Sequence, residues 1–413
     1  MKKISLKELA FPLIKAIDSF NYLLKSHHRR TAVIAYNIAV KMGMSRDDII
    51  DLVVAASLHD IGALSVQERD MLIQEDVVNP EPHCVMGYKM LSTFDMFIKS
   101  AEIIKHHHIR YDKSGKVSEE VHPQSYIIHL ADRVDILISQ DKFILDQKMD
   151  IINSIIEKKG SVFHPEVCDA FAEVAKADIF WIEINNLTME QLFSKIDFIS
   201  SHELTKEQIM QFALTISRII DFRSRFTAGH SYTVGQLAFK IGEMLGLDDD
   251  FCTKLLVAGY LHDIGKIGID TGYIEKEGPL TDEEFNQVKL HSYYSGQILS
   301  ELNNSEWFAD VVNWAKHHHE KTNGSGYPFA IKGDDIDLGT KIIEYADIIS
   351  ALTENRPYRK GMTIEEAFKI IEDNFSGVID DHILQEIEEH ADTIRDIVAY
   401  CREASGKAYS NRQ

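Results

Sequence analysis

A chain of 413 residues has room for two or three domains, each with its own core. Its 65 acidic side chains against 44 Lys and Arg leave a formal charge of −21, which argues against nucleic-acid polymers and anionic membrane surfaces as partners but leaves room for a small dinucleotide held by local cations. Cys84, Cys168, Cys252 and Cys401 are scattered without a C-x-x-C pair and read as reduced thiols; no run approaches the ~18 apolar residues of a membrane span, and Lys7, Glu8 and Lys15 interrupt any signal-peptide core, so the chain is expected to be cytoplasmic.

Residues 1–24 carry apolar side chains at helical spacing: Leu6, Leu9, Leu13, Ile17 and Phe20. Residues 26–44 and 46–58 predict two more helices, parted by a stop signal at Gly43. There follow His59-Asp60, then His83 with Gly87, then His106-His107-His108, then Ala131-Asp132. A helix is predicted over 139–158, a break over 160–164, and a helix from Pro165 to about Asp178, since proline is tolerated in a first helical turn. Residues 179–185 are too short a stretch to assign. Thr188 with Gln191 and Thr205 with Gln208 read as capping boxes. The second opens a helix whose stripe of Ile209, Phe212, Ile216 and Ile219 fits core packing or a homodimer contact.

From His230 onward the same residue types return in the same order: His262-Asp263, His291 with Gly296, His317-His318-His319, and Ala346-Asp347. The expected counterparts are His28, His59, Asp60, His83, His107, His108 and Asp132, a second candidate metal set that points to duplication of one helical unit. The halves differ at Lys266, matched by Ala63, and at Asn323-Gly324-Ser325-Gly326-Tyr327-Pro328, matched by Ser114-Gly115-Lys116. Residues 251–261 predict an almost wholly apolar, buried helix that holds His262 and Asp263 at its end, with Gly265 expected to close it in a left-handed cap. Five imidazoles with two carboxylates suit Fe, Mn or Zn better than thiolate-seeking metals. Asp263 could bridge two cations, whose shared water would become a nucleophile near neutral pH. Lys266 would offer phosphate a point charge, and His317 is read as an ordinary residue.

The order His230, His262-Asp263, His291, His318-His319, Asp347 resembles the HD phosphohydrolase superfamily. The segments His318-His319-Glu320, Gly326-Tyr327-Pro328 and Arg356-Pro357-Tyr358-Arg359 resemble its HD-GYP family. The resemblance implies an all-α protein with a metal-dependent phosphodiesterase that hydrolyses cyclic di-GMP to a linear dinucleotide or GMP. It assigns His230, His262, Asp263 and Asp347 to one metal and His291, His318 and His319 to the other, with Asp263 bridging and Lys266 assisting catalysis. Lys266, Tyr327, Arg356 and Arg359 would contact substrate. Some members carry a glutamate that helps hold a third metal where this chain has Phe226, so two divalent ions are expected, Fe or Mn ahead of Zn or Ni. The family's Asp-Gly loop reads Asn323-Gly324 here. Two tandem HD-type domains are therefore expected, residues 1–200 degenerate and regulatory, residues 201–413 catalytic. The alternatives are hydrolysis of cyclic GMP-AMP or another nucleotide, and a cyclic-dinucleotide receptor that does not cleave.

Overall fold

The computed structural model describes residues 26–63, 81–196, 204–222, 229–300, 305–355, 360–375 and 380–409, with single residues 14 and 302. The expected first helix, Phe226, Arg356 and Arg359 lie outside the described residues, apart from Ile14 of that helix. The fold is all-α: no strand occurs among the described residues, and Lys159 and Phe163 form an isolated bridge. From residue 26 onward the described residues fall into two compact units, the first ending at Ile196 and the second beginning at Leu204. No helix among the described residues is long and apolar enough to cross a membrane.

The first unit contains α1 (His27–Lys41), α2 (Arg46–Leu58), α3 (Glu81–Leu91), α4 (Ile98–Ile104), α5 (Pro123–Ile136), α6 (Ile144–Glu157), α7 (Pro165–Val174), α8 (Asp178–Asn186) and α9 (Met189–Lys195). Helix α8 forms where the stretch looked too short to assign, because Phe180, Trp181 and Ile184 bury one face and the Trp181 indole donates to Ala175 O. Both bonds of the Thr188 capping box are present at the start of α9.

The second unit contains α10 (Lys206–Phe222), α11 (His230–Met244), α12 (Asp249–Leu261), α13 (Thr271–Ile274), α14 (Asp282–Leu299), α15 (Glu306–His317), α16 (Leu338–Thr353), α17 (Ile364–Phe375), α18 (Asp381–Glu389) and α19 (Ala391–Tyr409). Ile209, Phe212, Ile216 and Ile219 of α10 are buried within the chain, so this stripe is core packing. Asp248, Thr281 and Asp337 cap α12, α14 and α16 with side-chain oxygens, each such cap contributing about 1 kcal/mol.

Each unit repeats one arrangement. A helix that begins with histidine, α1 or α11, packs on the helix that ends in His-Asp, α2 or α12, and on the helix that carries the second aspartate, α5 or α16. Both first helices stop at a left-handed glycine, Gly43 with φ 71° and Gly246 with φ 70°. A residue with a side chain would be strained there.

Candidate metal centre

Gly265 does not form the expected left-handed cap. The chain passes from α12 into a 3₁₀ turn over Ile264–Gly268, and the glycine is required by close approach instead. A Cβ on Gly265 would fall on the His291 carbonyl oxygen and lie 2.5 Å from Ser295 N. In the first unit, a Cβ on Gly62 would meet His83 O and lie 2.5 Å from Gly87 N, so the partner of Gly87 is Ser295 and not the expected Gly296. These contacts pull the turn after His-Asp against the helix that carries the next histidine.

The imidazoles are oriented by their own helices. His262 Nδ1 lies 2.7 Å from Gly259 O, His291 Nδ1 2.6 Å from Val288 O, and His318 Nδ1 2.8 Å from Ala315 O, each three residues back along the chain. A carbonyl can only accept, so each Nδ1 carries a proton and Nε2 is the nitrogen each ring turns into the site. Those Nε2 atoms converge. His291 Nε2 is 3.2 Å from His318 Nε2 and 3.4 Å from Asp263 Oδ1, while His262 Nε2 is buried without a hydrogen-bond partner, 3.2 Å from Asp263 Oδ2.

Acceptors facing acceptors in a buried space need a cation between them, and this is the donor set that a borderline divalent metal takes. Burial holds His291 down to about 4, His319 to about 3, and His318 well below the usual imidazole range, so these rings stay neutral and available as ligands. Asp263 is held well below the carboxylate range: burial opposes its charge, but His262 and Lys266 outweigh burial. Lys266 forms an ion pair with Asp263 Oδ2 and is part-exposed at the rim.

Asp347 projects from α16 toward two histidines, with Oδ1 3.1 Å from His230 Nε2 and Oδ2 3.8 Å from His319 Nδ1. His230, His262 and Asp347 can hold one ion, and His291, His318 and His319 a second. All seven expected ligands thus come together around Asp263. His317 stays apart, its ring 5.1 Å from that of Phe329. Tyr327 leans on His319, ring centroids 4.8 Å apart, and the Tyr327–Pro328 peptide is cis.

Glu320, quoted in the sequence as part of a motif without a role, turns out to hold this loop. It is fully buried and accepts from Phe329 N at 2.7 Å and Ile331 N at 2.9 Å. Asn323 Oδ1 accepts from Ser325 N at 2.9 Å, so the residue that replaces the family's aspartate still closes the turn.

The first unit assembles a comparable cluster, in which the expected His28 groups with His59 and Asp60, and His27, not among the expected ligands, groups with His59 and Asp132. His27 Nε2 lies 3.4 Å from Asp132 Oδ1 and 3.7 Å from Asp60 Oδ2. His28 packs beside it against His59, ring centroids 5.3 Å apart. Adjacent helical residues diverge by about 100°, so only one can face Asp132. The signal was present in the sequence. Gly43 and Gly246, His59 and His262, and Asp60 and Asp263 are all separated by the same 203 positions, and that step from His230 lands on His27.

His59, Asp60, His83, His107, His108 and Asp132 gather as expected. His59 and His107 again give Nδ1 to carbonyls three residues back, and His83 Nε2 faces His107 Nε2 at 3.3 Å. The accessible edge is what differs. His319 and Asp347 side chains are 26% and 15% exposed, whereas His108 and Asp132 are 5% and 2% exposed. Arg133, for which the second unit has Ile348, donates from Nε and Nη2 to Asp132 Oδ2 at 3.0 and 2.7 Å. The second centre is open and the first is sealed.

Family models described as "HD domain" match residues 24–137 and 215–383. The 3′3′-cGAMP-specific phosphodiesterase 1 of Vibrio cholerae is 28% identical over 93% of this chain and 91% of its own length. The cyclic di-GMP phosphodiesterase of Thermotoga maritima is 38% identical over 38% of this chain and 42% of its own. A crystal structure of a cyclic GMP-AMP specific phosphodiesterase of V. cholerae superposes with a TM-score of 0.62 at 22% identity, covering 94% of this chain and 98% of that one, and so shares the fold. With both units matched by the same family description and the whole chain following a shared fold, the protein belongs to the HD-domain family and carries two HD domains in tandem.

Proposed function

We propose that the C-terminal unit is a metal-dependent phosphodiesterase of the HD-GYP type acting on a cyclic dinucleotide, with 3′3′-cyclic GMP-AMP preferred to cyclic di-GMP. The observation that carries the metal reading is the convergence of the His262, His291 and His318 Nε2 atoms on Asp263 beside an edge left open at His319 and Asp347. When bound, a metal pair supplies an activated water and neutralises charge on the phosphate. The protein's own part is to hold both aspartates ionised, to keep the His291, His318 and His319 rings neutral, and to place the Lys266 ammonium at the rim where a phosphate oxygen would arrive. Tyr327 offers an aromatic face beside His319 for a base or ribose. Arg356 and Arg359 are proposed as phosphate contacts from their place in the motif.

The resemblance to the HD-GYP family puts cyclic di-GMP first. The order is reversed because the relatives matched along more than nine tenths of this chain are named for 3′3′-cGAMP, whereas the Thermotoga cyclic di-GMP enzyme matches 38% of it. Nitrogen and oxygen donors favour Fe or Mn, with Zn and Ni next. The test is metal analysis with product chromatography on both cyclic dinucleotides under Fe(II) and Mn(II), for the parent and for Asp263→Asn. A linear dinucleotide from 3′3′-cGAMP, lost in the variant together with the metal of the C-terminal centre, is expected. Binding without product would replace this reading with a receptor.

For the N-terminal unit we propose a metal-holding but non-hydrolytic centre built on His27, His59, Asp60, His83, His107, His108 and Asp132. Its ligands are as complete as those of the second unit, but the edge is closed and Arg133 stands on Asp132. Closed sites are the structural kind, and catalytic ones keep a position open. Metal should remain bound to the Asp263→Asn chain and be removed from it by Asp60→Asn; an Asp263→Asn chain without metal would refute the proposal.

A further inference from the structure

The two units solve one orientation problem in different ways. In the first, His27 Nδ1 lies 2.6 Å from Asp135 Oδ2, and Asp135 is itself held by Arg30. Asp135 stands three residues after Asp132 on α5. The matching position on α16, three residues after Asp347, is Ser350, which carries no charge.

The second unit draws its carboxylate from the next turn. Glu354, at the C-cap of α16, turns back so that Oε1 accepts from His230 Nδ1 at 3.0 Å and from the Ser350 hydroxyl at 2.7 Å. The Ser350 oxygen lies 3.1 Å from the same Nδ1. The proton count closes only one way: the serine hydrogen goes to Glu354, and the His230 Nδ1 hydrogen is shared between the glutamate and serine oxygens. His230 Nε2 is then left to face Asp347. Glu354 Oε2 is buried without a hydrogen-bond partner among the described residues, so this carboxylate is held where it is by His230 and Ser350.

We propose that Glu354, relayed by Ser350, is the positioning residue that fixes the His230 tautomer for metal binding, replacing the direct aspartate that the first unit keeps at Asp135. This rests on the metal reading above. A carboxylate on the far nitrogen of a ligating imidazole fixes its orientation and strengthens it as a donor, and removing such a group weakens metal affinity by about 10- to 100-fold.

The experiment is competition of Mn(II) against a chromophoric chelator on the full chain, with circular dichroism to confirm folding. Glu354→Gln is expected to weaken uptake at the C-terminal centre by about 10-fold or more. Ser350→Asp added to Glu354→Gln, which installs the first unit's arrangement, is expected to recover affinity to within a few-fold. A residue that merely supports the fold would not be rescued in this way. Parental affinity in Glu354→Gln, or a folded double variant no tighter than the single one, would overturn the proposal. The parent gives a reading independent of any variant: imidazole ¹⁵N shifts of the Zn(II)-loaded chain are expected to place the His230 proton on Nδ1, and the opposite tautomer would overturn it. A parent chain that takes up no metal at all would sink the metal reading itself, whereas normal parental uptake with any of the failures above sinks this pairing alone.

Discussion

His291 and His318 aim their Nε2 atoms at each other across 3.2 Å while each ring gives its Nδ1 proton to its own helix. Neither ring can donate to the other without breaking a helix-side bond. The pair is therefore a socket for a cation. Removing either ring should release the same ion, so His291→Ala and His318→Ala should each lose about one metal per chain, and the double variant no more than either single. Residues that act as a unit are non-additive in this sense. Metal-to-protein ratios by elemental analysis check it; additive losses would place the two histidines on different ions.

Glu320 ties the Tyr327 loop to the end of α15 through the amides of Phe329 and Ile331. Truncation leaves two amides without their acceptor, each worth about 1–3 kcal/mol if no water replaces it. Glu320→Ala should lower thermal stability, speed hydrogen exchange at those two amides and reduce turnover, while metal content stays at the parental ratio. Loss of metal in step with turnover would mean that the loop and the ligands are one cooperative unit.

The helical layout and the ligand types could be read from the chain because they are local. Caps, apolar stripes and His-Asp pairs at helix ends are properties of a few adjacent residues. His27 was harder to find beside His28, since two neighbouring histidines differ only in which helix face they occupy, and the constant spacing to the second half is what points to it as the counterpart of His230. Asp135, Arg133 and Glu354 had no local signature. Each is a charged residue within two turns of a candidate ligand, and an acid there looks like an ordinary solvated side chain until another helix brings a histidine to it. Gly265 was legible as a special position but for the wrong reason: a glycine after a helix suggests backbone conformation, and only the fold shows the helix pressed against it.

That contact makes Gly265 a sensitive point. Gly265→Ala must push the turn away from His291 O and Ser295 N, both of them backbone, so neither neighbour can swing aside as a side chain would. Overpacking of this kind costs about 1–3 kcal/mol, or more where backbone must move. The variant should lose stability and bind metal weakly at the C-terminal centre. Gly62→Ala, which would meet His83 O, should do the same in the first unit while leaving turnover of the second near parental. Metal titration with activity assays on the two variants checks the pair; wild-type affinity in Gly265→Ala would show that the turn has slack.

Glu344 sets a pH dependence that is separable from metal binding. Its carboxyl is buried and pairs with Lys321 Nζ at 2.8 Å, and burial, only partly offset by Lys321, pushes its pKa from 4.5 up to about 7. The folded protein then holds a proton that the unfolded chain has already released between those two values. Stability from this group is fully present below about pH 4.5, declines as pH rises toward 7, and is level above that. At about 1.4 kcal/mol per pH unit, the decline amounts to roughly 3 to 4 kcal/mol at most. Glu344→Gln carries no titrating proton, so its unfolding free energy in chelator should change less than the parent's between pH 5 and pH 8. Parallel curves for parent and variant would show that Lys321 keeps Glu344 ionised throughout.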